Sequence, residues 1–384
     1  MTESDPQTRR PARRAPGRGD AAPGPGAARR PSERRDLLGL PPDEARAAVA
    51  SAVARAGQPP YRVDQVLGWI YERRARSFDE MTNVPLRLRD ELSLEFALAP
   101  LERSFEARSS DGTIKHLWRL GDGEGVESVL IPTPDRVTLC LSSQAGCALA
   151  CRFCATGDFG FRRQLSAAEI VAQFRDADRV AREEYGRGIG NVVYMGMGEP
   201  LANQDAVFTS LGILNRGFGV GARRITVSTV GVVPGIRALA ELPEAFELAV
   251  SLHAPNHALR LELVPIEKRW PIPELFAAID EYQARKGRRV SLEYTLIEGL
   301  NDAEATAREL VSLVGDRLVF VNLIPWNPIP GRDWKPSGPA AIARFLEILQ
   351  AAGIPSAIRT PRGRDIAAAC GQLRLEREPT GAAG

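Results

Sequence analysis

No run of about 18 apolar residues occurs in the 384-residue chain, which argues against a membrane-spanning helix. The N-terminus has no apolar core of the kind a secretory signal carries. Cysteine is scarce, and three of the five cysteines are bunched. That is no disulfide framework of a small secreted domain, so a reducing cytoplasm is the expected compartment. A strong excess of one charge is missing too, since the formal net charge is +2. Nine arginines against Glu3, Asp5, Asp20 and Glu33 leave residues 1–35 at +5, so the remainder stands at −3. Bulk electrostatics of the body therefore does not select a polyanionic partner, and any such surface must be a local patch.

What is present falls into five stretches. Residues 1–36, rich in Arg, Pro, Gly and Ala, bury too little apolar surface to offset their ordering entropy and are expected to form a disordered basic tail. Residues 37–98 read as a small helical domain, with helices over 43–56, 63–74 and 85–95; Val63, Val66, Leu67 and Ile70 recur at helical spacing. Arg73, Arg74, Arg76, Arg87 and Arg89 of this domain are candidates for phosphate contacts or simply a solvated face. Residues 99–135 carry three short strands separated by Ser-Asp-Gly and Gly-Asp-Gly-Glu-Gly turns, a β extension. Glu127 lies in the third strand among apolar neighbours.

From residue 136 to about 360, strands (136–142, 191–195, 224–228, 247–252, 290–296, 318–324) alternate with helices (167–184, 204–216, 234–242, 273–286, 303–314, 339–352). Ser166 with Glu169 forms a capping box for the first helix. Six βα units imply an all-parallel α/β sheet, too short for a closed eight-stranded barrel and suited to an open, partial (βα)6 barrel. Residues 361–384 form a C-terminal segment.

Cys147, Cys151 and Cys154 fall within eight residues at C-x₃-C-x₂-C spacing. A structural zinc site wants four closed ligands, and no fourth Cys or His lies nearby. A 4Fe-4S cluster commonly takes four cysteines; a local set of three leaves one iron open for a ligand that is not protein, such as S-adenosylmethionine (SAM). Gly-Met-Gly-Glu-Pro (196–200), Ser228, Ser-Leu-His-Ala-Pro-Asn (251–256) and Trp326–Asn327 all fall at expected C-terminal strand ends, where ligands bind in parallel α/β folds.

Together with Asn-Leu-Ile-Pro-Trp-Asn-Pro (322–328) and Ala-Ala-Cys-Gly-Gln-Leu (368–373), these motifs resemble the RlmN/Cfr family of radical-SAM RNA adenine methyltransferases, over residues 37 to about 375. The resemblance implies cluster ligation by Cys147, Cys151 and Cys154. It implies SAM contacts from Gly198 and Glu199 at the ammonium end, Ser228, the Ser251–Leu252–His253 run on the ribose and adenine side, and Asn327. It makes Cys370 the methyl carrier, Cys140 the cysteine that resolves the adduct through a transient disulfide, and Glu127 the proton acceptor. It implies two SAM molecules per turnover, 23S rRNA and tRNA as substrates, a flavodoxin or ferredoxin as electron donor, and a monomer. The N-terminal domain would help grip RNA. Carbon 2 of adenine, flanked by ring nitrogens, is too electron-poor to attack a sulfonium methyl, which explains the need for radical chemistry. The alternatives are carbon-8 methylation within the same family, a radical-SAM activase, which needs neither Cys140 nor Cys370, and an electron-transfer module, which normally supplies all four cluster ligands.

Overall fold

The structure, a computed structural model, describes residues 34–99 and 101–373. The expected tail lies outside the described residues except for its end. There Arg35–Asp36 (β1) pairs in parallel with Phe96–Ala97 (β2), and the Asp36 carboxylate accepts the Leu38 N–H at 2.9 Å. Residues 35–36, counted with the expected tail, are thus part of a strand pair. Between these strands lie α1 (Pro42–Arg55), α2 (Arg62–Tyr71) and α3 (Leu86–Glu95). Val63, Val66, Leu67 and Ile70 are the buried face of α2, as their spacing requires.

The extension forms β3 (Glu102–Arg108), β4 (Ile114–Arg119) and β5 (Gly125–Pro132). The α/β part follows with β6 (Val137–Cys140), β7 (Gln144–Gly146), α4 (Ala155–Phe159), β8 (Phe161–Gln164), α5 (Ala167–Tyr185), β9 (Asn191–Tyr194), α6 (Gln204–Gly212), β10 (Ile225–Thr229), α7 (Val233–Glu241), β11 (Glu247–Ser251), α8 (His257–Leu263), α9 (Ile272–Lys286), β12 (Val290–Leu296), α10 (Glu304–Val314), β13 (Val319–Pro325), α11 (Pro339–Ala351) and β14 (Ser356–Ile358). Among the described residues one ten-stranded sheet runs β14-β13-β12-β11-β10-β9-β6-β5-β4-β3, with β3 and β14 as its open edges. Strands β6 and β9 to β14 are parallel.

This is the open partial barrel, with four departures from expectation. The sheet is mixed and not all-parallel, because β5 pairs antiparallel with β6 and carries the extension into the barrel sheet. Pairing with β5 covers an edge that β6 would otherwise expose. A further parallel strand, β14, joins at the other edge. Helix α6 ends early, at Gly212, where the chain widens into a π turn over Ile213–Gly217. Helix α8, which no expectation covered, starts at Asn256, whose side chain accepts the Leu259 N–H at 3.0 Å.

Helix α5 begins with the capping box: Ser166 Oγ accepts the Glu169 N–H at 3.2 Å and Glu169 accepts the Ser166 N–H at 2.9 Å. The same helix holds the N-terminal helices. Arg74 is buried and donates to Asp178 at 2.8 Å, and Arg76 lies 3.3 Å from Asp176. Buried Arg175 donates to Asp176 and to the carbonyls of Leu98 and Ala99. This corrects the expectation for Arg74: it is a packing residue, closed to phosphate. A guanidinium stays inside only with its charge and donors matched, and Asp178 supplies that match. Arg73 lies over the Trp69 ring, 4.5 Å from its centroid.

Candidate active site

The loop after β6 folds back through the antiparallel pair β7–β8. Gly146 sits at φ +77°, and a Cβ there would lie 1.8 Å from the Gly160 carbonyl oxygen, so only glycine allows the crossing. Cys147 N–H then donates to that same oxygen at 3.0 Å. Cys154 N–H donates to Cys151 O at 3.2 Å and Gly157 N–H to Cys154 O at 3.1 Å, so the triad is held by its own backbone. Cys147, Cys151 and Cys154 line one cavity, whose empty volume is about 920 Å³ with its mouth included. Burial pushes the Cys147 thiol up to about 12, and raises Cys151 and Cys154 as well. Cys151 is pushed further by the charges of its two neighbours.

Among the described residues no three His, Cys, Asp or Glu side chains gather tightly enough to hold a single metal ion. A cluster that takes each cysteine on a different iron needs thiols spread around a cavity, not converging on one point. Three thiols from one loop, with the cavity's fourth cysteine, Cys370, on the distant C-terminal segment, fit a cluster with one open iron.

The strand ends close the rest of the cavity. Gly198 stands at φ +98°, and a Cβ there would sit 2.5 Å from Gln144 Cβ. Glu199 donates its N–H to Gln144 Oε1 at 2.8 Å. Its carboxylate accepts the Leu201 N–H at 3.0 Å and the Val230 N–H at 2.9 Å, tying the loop after β9 to the one after β10. Burial pushes this carboxyl up to about 7 against the pull of those donors. Ser228, Ser251, Asn327 and Cys370 line the same cavity, while Leu252, fully buried, does not. Its backbone N–H donates to Glu293 O at 3.0 Å.

His253 holds φ +60° and packs its ring 4.1 Å from that of Phe153. Its Nδ1 accepts the Thr295 N–H at 3.0 Å, which puts the ring proton on Nε2. Burial depresses the imidazole to about 3, so the ring is neutral. Nε2 is buried and has no protein partner among the described residues. An unmatched buried donor at the wall of a cavity fits a ligand with acceptor atoms, as the adenosyl end of SAM has. The neutral ring therefore offers an N–H donor at Nε2.

The outlying cysteines meet at a second cavity. Cys140 ends β6, is buried, and lines that cavity together with Cys370; all five cysteines are free. Burial, with a contribution from the charge of Cys370, pushes Cys140 up to about 12, so it rests as a thiol. Cys370 borders both cavities. Its segment is pinned to the cluster loop. Ala155 N–H donates to Gly371 O at 2.7 Å, Thr156 Oγ1 to Leu373 O at 2.6 Å, and Asn327 Nδ2 to Cys370 O at 3.1 Å. Asn327 also accepts Arg364 Nε at 2.8 Å. Gly371 has φ +83°, and a Cβ there would approach Phe153 O to 3.0 Å.

Glu127 is buried on β5 with Lys115 Nζ 3.2 Å from its carboxylate. It lies two residues before Val129, the cross-strand partner of Cys140, and so on the same face of the sheet. It does not line either cavity. His116 is buried on β4, and His257 pairs with Glu267 at 2.8 Å, both away from the cavities.

Sequence reading did not find Gln144, Arg359 or Glu293. Arg359 borders both cavities and lies 3.7 Å from Glu293. Glu293 carried a legible signal, an acid inside the apolar run of β12. Arg359 and Gln144 carried none.

Two family models match: the Radical SAM superfamily over residues 141–311 and the ribosomal RNA large subunit methyltransferase N-terminal domain over residues 36–98. The chain is 47% identical to a protein of Gemmatimonas aurantiaca named "Probable dual-specificity RNA methyltransferase RlmN", covering 89% of this chain and 94% of that one. It is 43% identical to the dual-specificity RNA methyltransferase RlmN of Anaeromyxobacter dehalogenans, covering 90% and 93%. The crystal structure of a radical SAM methyltransferase from Sphaerobacter thermophilus superposes with a TM-score of 0.84 at 48% identity, covering 89% of this chain and all of that one. No helix among the described residues is long and apolar enough to cross a membrane. Motifs, fold and relatives agree, and the chain belongs to the RlmN family of radical-SAM RNA methyltransferases.

Proposed function

We propose that this protein methylates carbon 2 of a specific adenosine in 23S rRNA and in tRNA, through a methyl group carried on Cys370 and a transient Cys140–Cys370 disulfide. The observation that carries this reading is the position of Cys370. It borders the cavity of the cluster cysteines on one side and the cavity of Cys140 on the other. A methyl carrier must face a donor and an acceptor in turn, and a bordering thiol meets that demand.

The 4Fe-4S cluster and SAM, when bound, supply the one-electron chemistry and the methyl group, and two SAM molecules are used per turnover. Cys147, Cys151 and Cys154 would hold the cluster. Gly198 and Glu199, Ser228, Ser251–His253 and Asn327 would hold SAM, with His253 Nε2–H as donor and Leu252 acting through its backbone. Cys370 forms the covalent link to the base through its methylene carbon; the hydrogen its methyl group gives up would pass to the adenosyl carbon of SAM, and the odd electron left on the adduct would return to the cluster. Glu127, with Lys115 Nζ 3.2 Å from its carboxylate, takes the proton from carbon 2. Cys140 then loses its proton and attacks the Cys370 sulfur. The S–S bond forms as the S–CH₂ bond breaks, and the electron pair leaves with the methylene carbon, which gains a proton to become methyl. An external thiol reduces the disulfide. The electron donor is a flavodoxin or ferredoxin, and the enzyme acts as a cytoplasmic monomer.

The test is incubation of the reconstituted protein with SAM, reductant and RNA, followed by mass spectrometry of the nucleosides. 2-Methyladenosine is the expected product. 8-Methyladenosine would move the chain to the carbon-8 activity, and no methylated nucleoside would overturn the reading.

A further inference from the structure

The two cavities that meet at Cys370 differ in charge. The first carries the cysteine triad and the carboxyl groups of Glu199 and Glu293 against a single arginine, Arg359, which it shares with the second, a wall that suits a cationic sulfonium and ammonium. The second, of about 1070 Å³ with its mouth included, is lined by three arginines, Arg136, Arg359 and Arg362. Among the described residues none of its lining is Asp or Glu. The body of the chain is net negative, so a carboxylate-free wall with three guanidinium groups is a local departure from the rest of the surface.

The arginines are placed at different depths. Arg359 sits inside, bordering both cavities, with its guanidinium 3.7 Å from both Glu293 and the Met195 sulfur. Arg136 is exposed at the rim. Its turn is closed by Thr133 N–H donating to Arg136 O at 2.8 Å, and Arg136 N–H in turn meets Thr133 Oγ1 at 3.3 Å. Arg362, half-buried on the C-terminal segment, has Asp111 no nearer than 3.9 Å. That carboxylate is already engaged by the N–H groups of Thr113 and Gly363. Both rim guanidiniums therefore keep donors free, on the two sides of a cavity whose floor holds Cys140 and Cys370. Planar, forked donors of this kind match phosphate oxygens.

We propose that the second cavity is the port through which RNA presents its adenosine, and that Arg136 and Arg362 hold the backbone phosphates flanking that nucleotide. This rests on the reading of the protein as an RNA methyltransferase and adds the side of approach and the residues that set it. Arg359, deeper, faces the base and not the backbone.

The experiment measures binding of a fluorescent RNA stem-loop with an unpaired adenosine to the full-length, cluster-reconstituted protein, by anisotropy across a salt series. The R136Q/R362Q protein should bind roughly tenfold more weakly at 0.15 M salt, with a log–log salt slope shallower by about 1.4, two single-strand phosphate contacts. SAM affinity, from calorimetry on the same samples, should not change. R136K/R362K keeps both charges and should restore the slope. R289Q, just before the N-terminal end of β12 and so at the opposite face of the barrel, should bind RNA as the unaltered protein does. Unchanged RNA affinity and slope in R136Q/R362Q would overturn the proposal, as would loss of SAM affinity in step with RNA affinity. Binding is read without turnover, so failure of the port is distinct from failure to methylate, which the nucleoside analysis of the unaltered protein reports.

Discussion

The amide of Ala155, one residue past the last cluster cysteine, donates to the carbonyl of Gly371, one residue past Cys370, at 2.7 Å. Two segments at distant points of the chain are thereby held backbone to backbone. With Thr156 Oγ1 also donating to Leu373 O, the proposed methyl carrier is positioned by the loop of the cysteine triad. Loss of that contact would affect delivery before it affected either binding site.

Gly371 tests this directly. An L side chain at φ +83° costs about 1–2 kcal/mol, and its Cβ would press on Phe153 O. Gly371→Ala should keep the visible chromophore and SAM binding while methylated RNA falls at least tenfold. Mass spectrometry of the Cys370 peptide should show less methylation. Full methylation of Cys370 and full turnover would show that the contact is dispensable.

Replacing Cys147, Cys151 or Cys154 by Ala should each abolish the brown chromophore and reductive SAM cleavage. A cluster held at three irons by three thiols has no spare protein ligand. Absorbance and iron analysis after reconstitution check this; a single variant that keeps a full cluster and activity would remove that cysteine from the ligand set.

The outlying cysteines separate mechanism from family membership. Cys370→Ala should bind cluster and SAM yet make no methylated RNA. Cys140→Ala should stall after the Cys370–RNA link forms, leaving a slow band on a denaturing gel that needs both SAM and reductant. The band should vanish in the double variant. Normal turnover by Cys140→Ala would leave the resolving step without this residue.

Stability should fall in mild acid because of His116. Burial depresses its imidazole to about 3, helped by the charges of Arg103 and Arg108; Glu106, 3.4 Å from Nδ1, does not reverse this. The unfolded chain binds the proton near pH 6.5 and the folded protein does not. Stability is therefore fully present above about pH 6.5 and is lost as pH falls toward 3, by up to about 1.4 kcal/mol per pH unit for one such group. His253 contributes with the same sign, and Glu199, raised to about 7, with the opposite one. Urea unfolding between pH 7.5 and 5.5 should thus show a smaller pH slope for His116→Asn than for the unaltered protein. Equal slopes would mean that His116 is protonated in the fold.

Periodicity and turn chemistry made the element order legible, because both act within a few residues. The apolar spacing of α2, the Ser166–Glu169 box and the alternation of strand and helix all reappear in place. The cysteine spacing and the strand-end motifs located the cavity of the cluster loop, because each is a short local pattern. Only the tertiary structure joined the β extension to the barrel sheet through Val129 and Cys140, since strand pairing depends on partners distant in the chain. It also turned Arg74 inward onto Asp178, a choice that helical spacing cannot make. Gln144 and Arg359 entered the site on the same terms: each lies in an unremarked local sequence, and its role follows from the residues that packing sets against it.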